Sequence, residues 1–230
     1  TVATPDVSVT LITDQVTEAG LLVAGKEQVL GKFDFFASNS QAIVTKLNVG
    51  VNTAASVATT TALNQEVSQI RLYDSGGALL ASGVPLGGND GDAGSVRFEN
   101  VNGIFTIPTN STKRVEIRAL LNGIDPLGNG AVPSSLAIYI GSDDFEAIQG
   151  SATDTTLTNA ALAGNLKRMY QSIPTVTVAA PSSSVLTIGE VELLKFTIAA
   201  DANGDIEWSK IEATVTVSGA TLTADSVKLR

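Results

Sequence analysis

Apolar and small polar residues alternate along many short stretches of the chain, which is the pattern of β-strands with one buried face. Residues 113–121 place apolar side chains on one face and charged side chains on the other. Similar alternation occurs over residues 47–51 and 136–140. Asp-Ser-Gly-Gly at 74–77 predicts a hairpin between two such strands. The pattern as a whole predicts an all-β protein.

Many short strands separated by turn residues favour an Ig-like antiparallel β-sandwich, and a closed β-barrel is the alternative. Helix signals are sparse. Residues 54–66 could carry one helical turn, and residues 160–170 fit either a short helix or an extended segment.

An internal repeat gives the domain organisation. Four segments recur in the same order: 5–9 with 174–178, 29–37 with 192–200, 43–51 with 206–215, and 67–72 with 224–229. The offset runs from 157 residues (Arg71 to Lys228) to 169 residues (Pro5 to Pro174). We therefore expect a tandem repeat, with a complete Ig-like domain over 1–172 and the first part of a related β domain over 173–230.

The second copy is incomplete, because the sequence stops before the counterparts of the later strands. A β-sandwich without those strands has unpaired sheet edges and a half-covered core. Either the polypeptide continues past Arg230 or a neighbouring chain supplies the missing strands. In the second case we expect residues 7–12 to be the donated strand.

Charge and residue usage narrow the classes of partner. Charged residues make up 16% of the chain and the formal net charge is −9. This argues against nucleic acid as a partner, since binding phosphates requires clustered Lys and Arg. The closest basic cluster, Lys113, Arg114 and Arg118, is interpreted as a solvated face of a strand. No apolar run approaches the roughly 20 residues that span a bilayer.

The chain contains neither Cys nor His. These absences exclude disulfides, thiol nucleophiles, Ser-His pairs and the usual transition-metal sites. No strand–Gly-loop–helix unit for a nucleotide is present either. We therefore predict that the chain is not an enzyme.

Two acidic loops are candidate Ca²⁺ sites, because hard cations prefer several oxygen ligands on one compact loop. The first loop offers Asp201, Asn203, Asp205 and Glu207. The second loop offers Asn89, Asp90 and Asp92 among glycines. A plain polar turn is the alternative for the first loop, and a mobile hairpin loop for the second.

Two further residues are candidates for contact with sugars. Asn110 begins the only N-x-[ST] sequon, ahead of a strand, where it should be exposed to glycosylation. Trp208 begins a predicted strand and is either a core side chain or a platform on which a sugar stacks.

Residues 195–206 (KFTIAADANGDI), 210–215 (KIEATV) and 105–115 (FTIPTNSTKRV) carry a family resemblance. In these stretches the chain resembles the long, repetitive Ig-like surface proteins of prokaryotes, including surface-layer and adhesin-type chains. The resemblance implies an extracellular, scaffold-like role, often with Ca²⁺ in loops or at domain joints.

These observations together predict a structural subunit of an extracellular surface layer or filament at the cell surface. Its expected partners are copies of itself, bound through strand edges or domain contacts, with Ca²⁺ as the candidate cofactor. The alternative is an adhesin or carbohydrate-binding module on a surface stalk. A third reading is an accessory domain of a larger extracellular hydrolase.

Overall fold

The computed structural model describes most of the chain. The described residues are 6–14, 20–52, 66–85, 95–124, 135–140, 145–158, 162–182, 185, 189–202, 204–212, 214 and 216. Within them the protein is all-β with nearly no helix, as the alternating pattern predicts. The predicted helical turn at 54–66 lies almost wholly outside the described residues. Residues 167–170 form a strand, which settles the alternative for that part of 160–170 in favour of the extended form.

The strands follow one another along the chain in this order: β1 (Asp6–Leu11), β2 (Gly20–Val23), β3 (Glu27–Ser38), β4 (Ala42–Asn52), β5 (Val67–Asp74), β6 (Leu79–Gly83), β7 (Ser95–Glu99), β8 (Phe105–Ile107), β9 (Ser111–Leu121), β10 (Ser135–Ile140), β11 (Glu146–Gln149), β12 (Ala152–Asp154), β13 (Leu157–Thr158), β14 (Leu162–Ala163), β15 (Lys167–Tyr170), β16 (Thr175–Ala179) and β17 (Lys195–Ala199).

Strands β1 to β15 form two large sheets. One has six strands in the order β13-β1-β3-β9-β5-β6, and the other has nine strands around β4, β10 and β15. All pairings in these two sheets are antiparallel except β1 with β13 and β15 with β2, which are parallel. Strands β16 and β17 form a separate two-stranded sheet.

Strand β4 is paired along both edges. Its Lys46 pairs with Glu99 of β7 and with Glu146 of β11, so β7 and β11 lie on opposite edges. The register with β10 places that strand on the same edge as β11, because β7 occupies the other edge over the same residues. Four later strands, β7, β8, β10 and β11, therefore hold β4 in the middle of its sheet.

The two large sheets pack face to face over one hydrophobic core. The four apolar side chains of β9 are buried, which confirms the predicted alternation: Val115, Ile117, Ala119 and Leu121. Phe35 of β3 and Phe105 of β8 meet edge to face across the core, with ring centroids 5.2 Å apart. The sheets approach so closely at Gly31 that an added Cβ would lie 2.8 Å from the Ile138 side chain.

The predicted hairpin at 74–77 is confirmed. Strands β5 and β6 flank it, and Gly77 has a φ of 82°, a backbone conformation that glycine adopts without strain. One carboxylate oxygen of Asp74 accepts hydrogen bonds from the backbone N–H groups of Ala78 and Gly76, both at 2.9 Å. These bonds, Ala78 foremost, lower the pKa of Asp74, and the nearby Lys113 ammonium adds to the effect.

Two expectations from the sequence are corrected by the structure. Strand β1 pairs with β3 on one edge and β13 on the other, and its Val7 and Val9 are fully buried, so residues 7–12 are not free for donation. The expected counterpart of β4, residues 206–215, forms no strand over its described positions. The physical reason is that β4 depends on four later strands, and no counterparts of these are among the described residues.

Replacing Phe35 with Ala tests the shared core. We expect a loss of about 3–5 kcal/mol in the free energy of unfolding, because the fully buried ring would leave a cavity between the sheets. The neighbouring Phe36 points to the outer face and is 38% exposed, so Phe36→Ala should cost about 1 kcal/mol or less. Chemical denaturation of both variants makes the comparison. Equal losses would contradict the two-sheet core.

Candidate functional site

The acidic turn at 201–207 joins the two-stranded sheet to the large sheets. The Asp201 carboxylate accepts a 2.6 Å hydrogen bond from Lys26 Nζ, and Lys26 lies in the turn between β2 and β3. The backbone N–H of Asp201 donates to Ser172 Oγ at 2.9 Å. Gly204 also lies close to the Gln171 side chain, since an added Cβ on Gly204 would be only 2.6 Å from it. This turn is therefore a joint between the two parts of the chain.

The geometry of the same turn bears on its candidate role in binding Ca²⁺. The Gly204 N–H donates to the Asp201 carbonyl at 3.2 Å, as in a plain β-turn. Asp205 and Glu207 are exposed, and Asn203 lies outside the described residues. Over the described residues no group of three or more acidic side chains is arranged to hold a metal. The Asp201 carboxylate is bound by an ammonium group, and Ca²⁺ binding stays a prediction.

The second acidic loop, with Asn89, Asp90 and Asp92, lies outside the described residues. Asn110, the sequon residue, is exposed in the turn before β9 and has a φ of 49°. Its Oδ1 accepts a 3.0 Å hydrogen bond from the backbone N–H of Asn39. The bond fixes the orientation of the amide on which a glycan would be attached.

The outer face of the six-stranded sheet carries a network of ion pairs. Glu27 of β3 accepts from Arg71 Nη1 at 2.5 Å and faces Arg118 Nη1 at 3.4 Å. Arg118 also donates to Glu116 at 2.6 Å, and its guanidinium lies 4.4 Å from the centre of the Tyr73 ring. Hydrogen bonds to Tyr73, and then to Glu27, raise the pKa of Arg71.

The basic cluster predicted to be a solvated face is held by acidic partners. Arg114 binds Asp34 through two parallel hydrogen bonds of 2.9 Å, the geometry that suits a guanidinium and a carboxylate. Lys113 Nζ lies 3.6 Å from Asp74. With its cations already paired, this face is poorly suited to recruiting an anionic ligand.

One face of the β16–β17 sheet is an open apolar surface. Val176 pairs with Ile198 and Val178 with Phe196, so these four side chains share one face. Val176 is 59% exposed and Val178 is 65% exposed, and Phe196 and Ile198 are only half-buried. We name this set the open face.

The edge of β17 is also unpaired within the described residues. Strand β17 pairs with β16 on one edge, and the structure describes no strand on the other.

Trp208, which follows the acidic turn, is 52% exposed and is not a core side chain. A shallow groove of about 320 Å³ lies between β6 and β7, lined by Leu80, Arg97 and Ile104 among others.

The sequence did not reveal the joint. Lys26 and Asp201 are 175 residues apart, and nothing in the neighbourhood of Lys26 marks it as a partner of the acidic turn. The open face, in contrast, was signalled by the alternation in residues 174–178 and 195–200.

Among the described residues, no helix is long and apolar enough to traverse a lipid bilayer.

Comparison with known proteins identifies no family. No family model matches the chain, and no curated protein matches it. One similar solved structure is AvmM, which catalyses macrocyclization in alchivemycin A biosynthesis, with 11% identity, a TM-score of 0.32, and coverage of 78% of this chain and 93% of AvmM. Another is a family 123 glycoside hydrolase from Clostridium perfringens, with 11% identity, a TM-score of 0.31, and coverage of 73% of this chain and 27% of the hydrolase.

These comparisons correct the prediction that the chain is not an enzyme. The two structures named above are enzymes, so that exclusion, which was based on missing residue types and motifs, is withdrawn. At TM-scores near 0.3, neither likeness carries an argument for a particular activity.

Replacing Lys26 with Met tests the joint. We expect faster amide exchange at residues 171–173 and 201–205, because the ion pair to Asp201 is lost, with global stability changed by only about 0.2–1 kcal/mol. Hydrogen exchange with mass spectrometry measures this. Lys46→Met is the matched control, since Lys46 has a similar exposure and is paired with Glu146 away from the joint. Unchanged exchange at the joint in Lys26→Met would contradict its role.

Proposed function

We propose that the chain is a structural subunit of an extracellular surface layer or filament, and that it assembles through the β16–β17 sheet. The observation that carries this proposal is the open face. An isolated two-stranded sheet is marginally stable in water, and it gains stability when further strands or a covering surface are added. Large exposed apolar areas on a soluble protein commonly mark interaction sites.

The proposed fold is an Ig-like sandwich. The order β1-β3-β9-β5 in one sheet and β4-β10-β15 in the other follows the A-B-E-D and C-F-G order of that fold. The register of β3 with β9 is the longest of these pairings. Of the additional strands, β2 falls between the proposed A and B strands, β6 to β8 between D and E, and β11 to β14 between F and G.

The proposed tandem repeat is supported by the pairing of β16 with β17. These strands are the sequence counterparts of β1 and β3, and both pairs are antiparallel. In the first pair Val9 lies opposite Phe35; its counterpart Val178 lies opposite Phe196 rather than Ile198. The register differs by two residues, which keeps the apolar side chains on one face because side chains alternate with period two.

The two units differ sharply in how far these side chains are covered. Val7, Val9, Phe33 and Phe35 are fully buried in the first unit. Their counterparts form the open face. We infer that the second unit is completed by strands from outside the described residues, and that assembly between subunits supplies the cover.

A paired substitution on the open face tests assembly. Val176→Thr with Val178→Thr keeps β-branched residues in the strand while making the face polar. We expect the wild-type protein to form sheets or filaments in negative-stain electron microscopy and the double variant to form none. The control is Val84→Thr, because Val84 is also 65% exposed but follows β6. Assembly by the double variant, or dispersed wild-type particles in every condition, would overturn the proposal.

The same microscopy tests the proposed Ca²⁺ dependence. Wild-type protein is compared in millimolar Ca²⁺ and in a chelator. Assemblies that form only with Ca²⁺ would direct attention to Asp205, Glu207 and the second acidic loop. Assembly in both conditions would remove the metal from the proposal and leave the subunit in place.

An adhesin or carbohydrate-binding module is the second candidate, and the exposed Trp208 favours it. Aromatic rings that face solvent offer an apolar surface with a polar tip for a ligand. If this function holds, the wild-type protein binds at least one glycan on a glycan array, and Trp208→Ala abolishes that binding. Phe36→Ala, which removes another exposed ring, is the control and should still bind. An array without any wild-type signal would dispose of this candidate.

A further inference from the structure

The outer edge of β17 has a close counterpart in the first unit. Strand β3, which matches β17 in sequence, pairs with β1 on one edge and with β9 on the other. The β3–β9 register covers ten residue pairs, from Glu27 opposite Leu120 to Ala37 opposite Ser111. By contrast, the outer edge of β1 carries only two pairs, with β13. Since β17 corresponds to β3, its outer edge corresponds to the edge of β3 that pairs with the long strand β9.

A second copy of β17 fits this edge in antiparallel orientation. With a two-fold axis at Thr197, Phe196 of one copy lies opposite Ile198 of the other, and the two Thr197 residues lie opposite each other. Apolar side chains then meet apolar side chains on one face, and threonines meet on the other. Such cross-strand pairs are the units that stabilise a sheet.

The charges also agree with this register. Lys195 lies opposite the uncharged Ala199 of the second copy, so no like charges face each other. An antiparallel pair thus matches polarity along its length and brings no like charges opposite each other.

We propose that two copies of the chain pair through their β17 strands, which gives a four-stranded sheet in the order β16-β17-β17-β16. This inference rests on the proposed function and names one of the contacts between subunits; growth beyond a dimer needs the open face as a second contact. The four-stranded sheet has one continuous apolar face, made by the two open faces side by side. Because a two-fold contact is closed on itself, each β17 edge is used once.

Single cysteines test the contact, since the chain has none of its own. In the proposed sheet the two copies of residue 197 have Cα atoms about 4.5–5.5 Å apart, within reach of a disulfide. Residue 177 faces the same side and pairs with Thr197 within one copy. Its two copies would be three strand spacings apart, about 14 Å, which is too far.

We expect Thr197→Cys to give a disulfide-linked dimer as the main product of mild oxidation, and Thr177→Cys to give only the background of random collision. Non-reducing electrophoresis measures the products. Nitroxide labels at the same two positions give a second readout, with much stronger spin–spin broadening expected at 197 than at 177, because the two labels at 197 are closer together. This readout does not depend on disulfide geometry.

The outcomes separate this inference from the proposed function. Cross-linking at 177 instead of 197, with stronger broadening at 177 than at 197, would mean pairing through β16 and would overturn the β17 contact. Equal, weak signals at both positions would also overturn it. If electron microscopy of the wild-type protein still shows assemblies in that case, the subunit function stands and only the contact is wrong. Dispersed wild-type particles would remove both.

Discussion

Strand β3 is bound along one edge by β1 and along the other by β9, and the fold is built around this three-stranded centre. Its inward residues Phe33 and Phe35 fill the space between the sheets, and Phe35 reaches Phe105 on the opposite sheet. Its outward residues take part in the ion pairs with β9 and β5. The register of these pairings decides which side chains of β3 face the core and which face outward. A slip of one residue would move every side chain to the opposite face.

The C-terminal sheet shows what the same sequence pattern does without its third strand. Strands β16 and β17 pair as β1 and β3 do, but nothing among the described residues takes the place of β9. The apolar side chains of this pair remain exposed where those of the first pair are fully buried. Pairing of two strands is thus a local property of the sequence, whereas burial depends on elements that come from elsewhere.

Local patterns in the sequence were sufficient for the strands and the hairpin at 74–77. The alternation in β9 predicted which side chains are buried, since a period of two follows directly from strand geometry. Contacts between distant residues were not accessible. The pair of Lys26 with Asp201, which makes the acidic turn a joint, depends on where two separate turns meet in space. For residues 206–215, similarity to β4 was misleading because pairing partners, and not the segment alone, make that strand.

The joint also determines how a chain of this kind would respond to tension. Its contacts among the described residues include the Lys26–Asp201 ion pair, the Ser172 hydrogen bond and the close approach of Gly204 to Gln171. Partly exposed ion pairs contribute only about 1 kcal/mol, whereas the first unit is secured by a continuous core. Under a pulling force the joint would open before the sheets do. In the proposed layer, extension under load would therefore begin at the joints, while the two large sheets keep their structure.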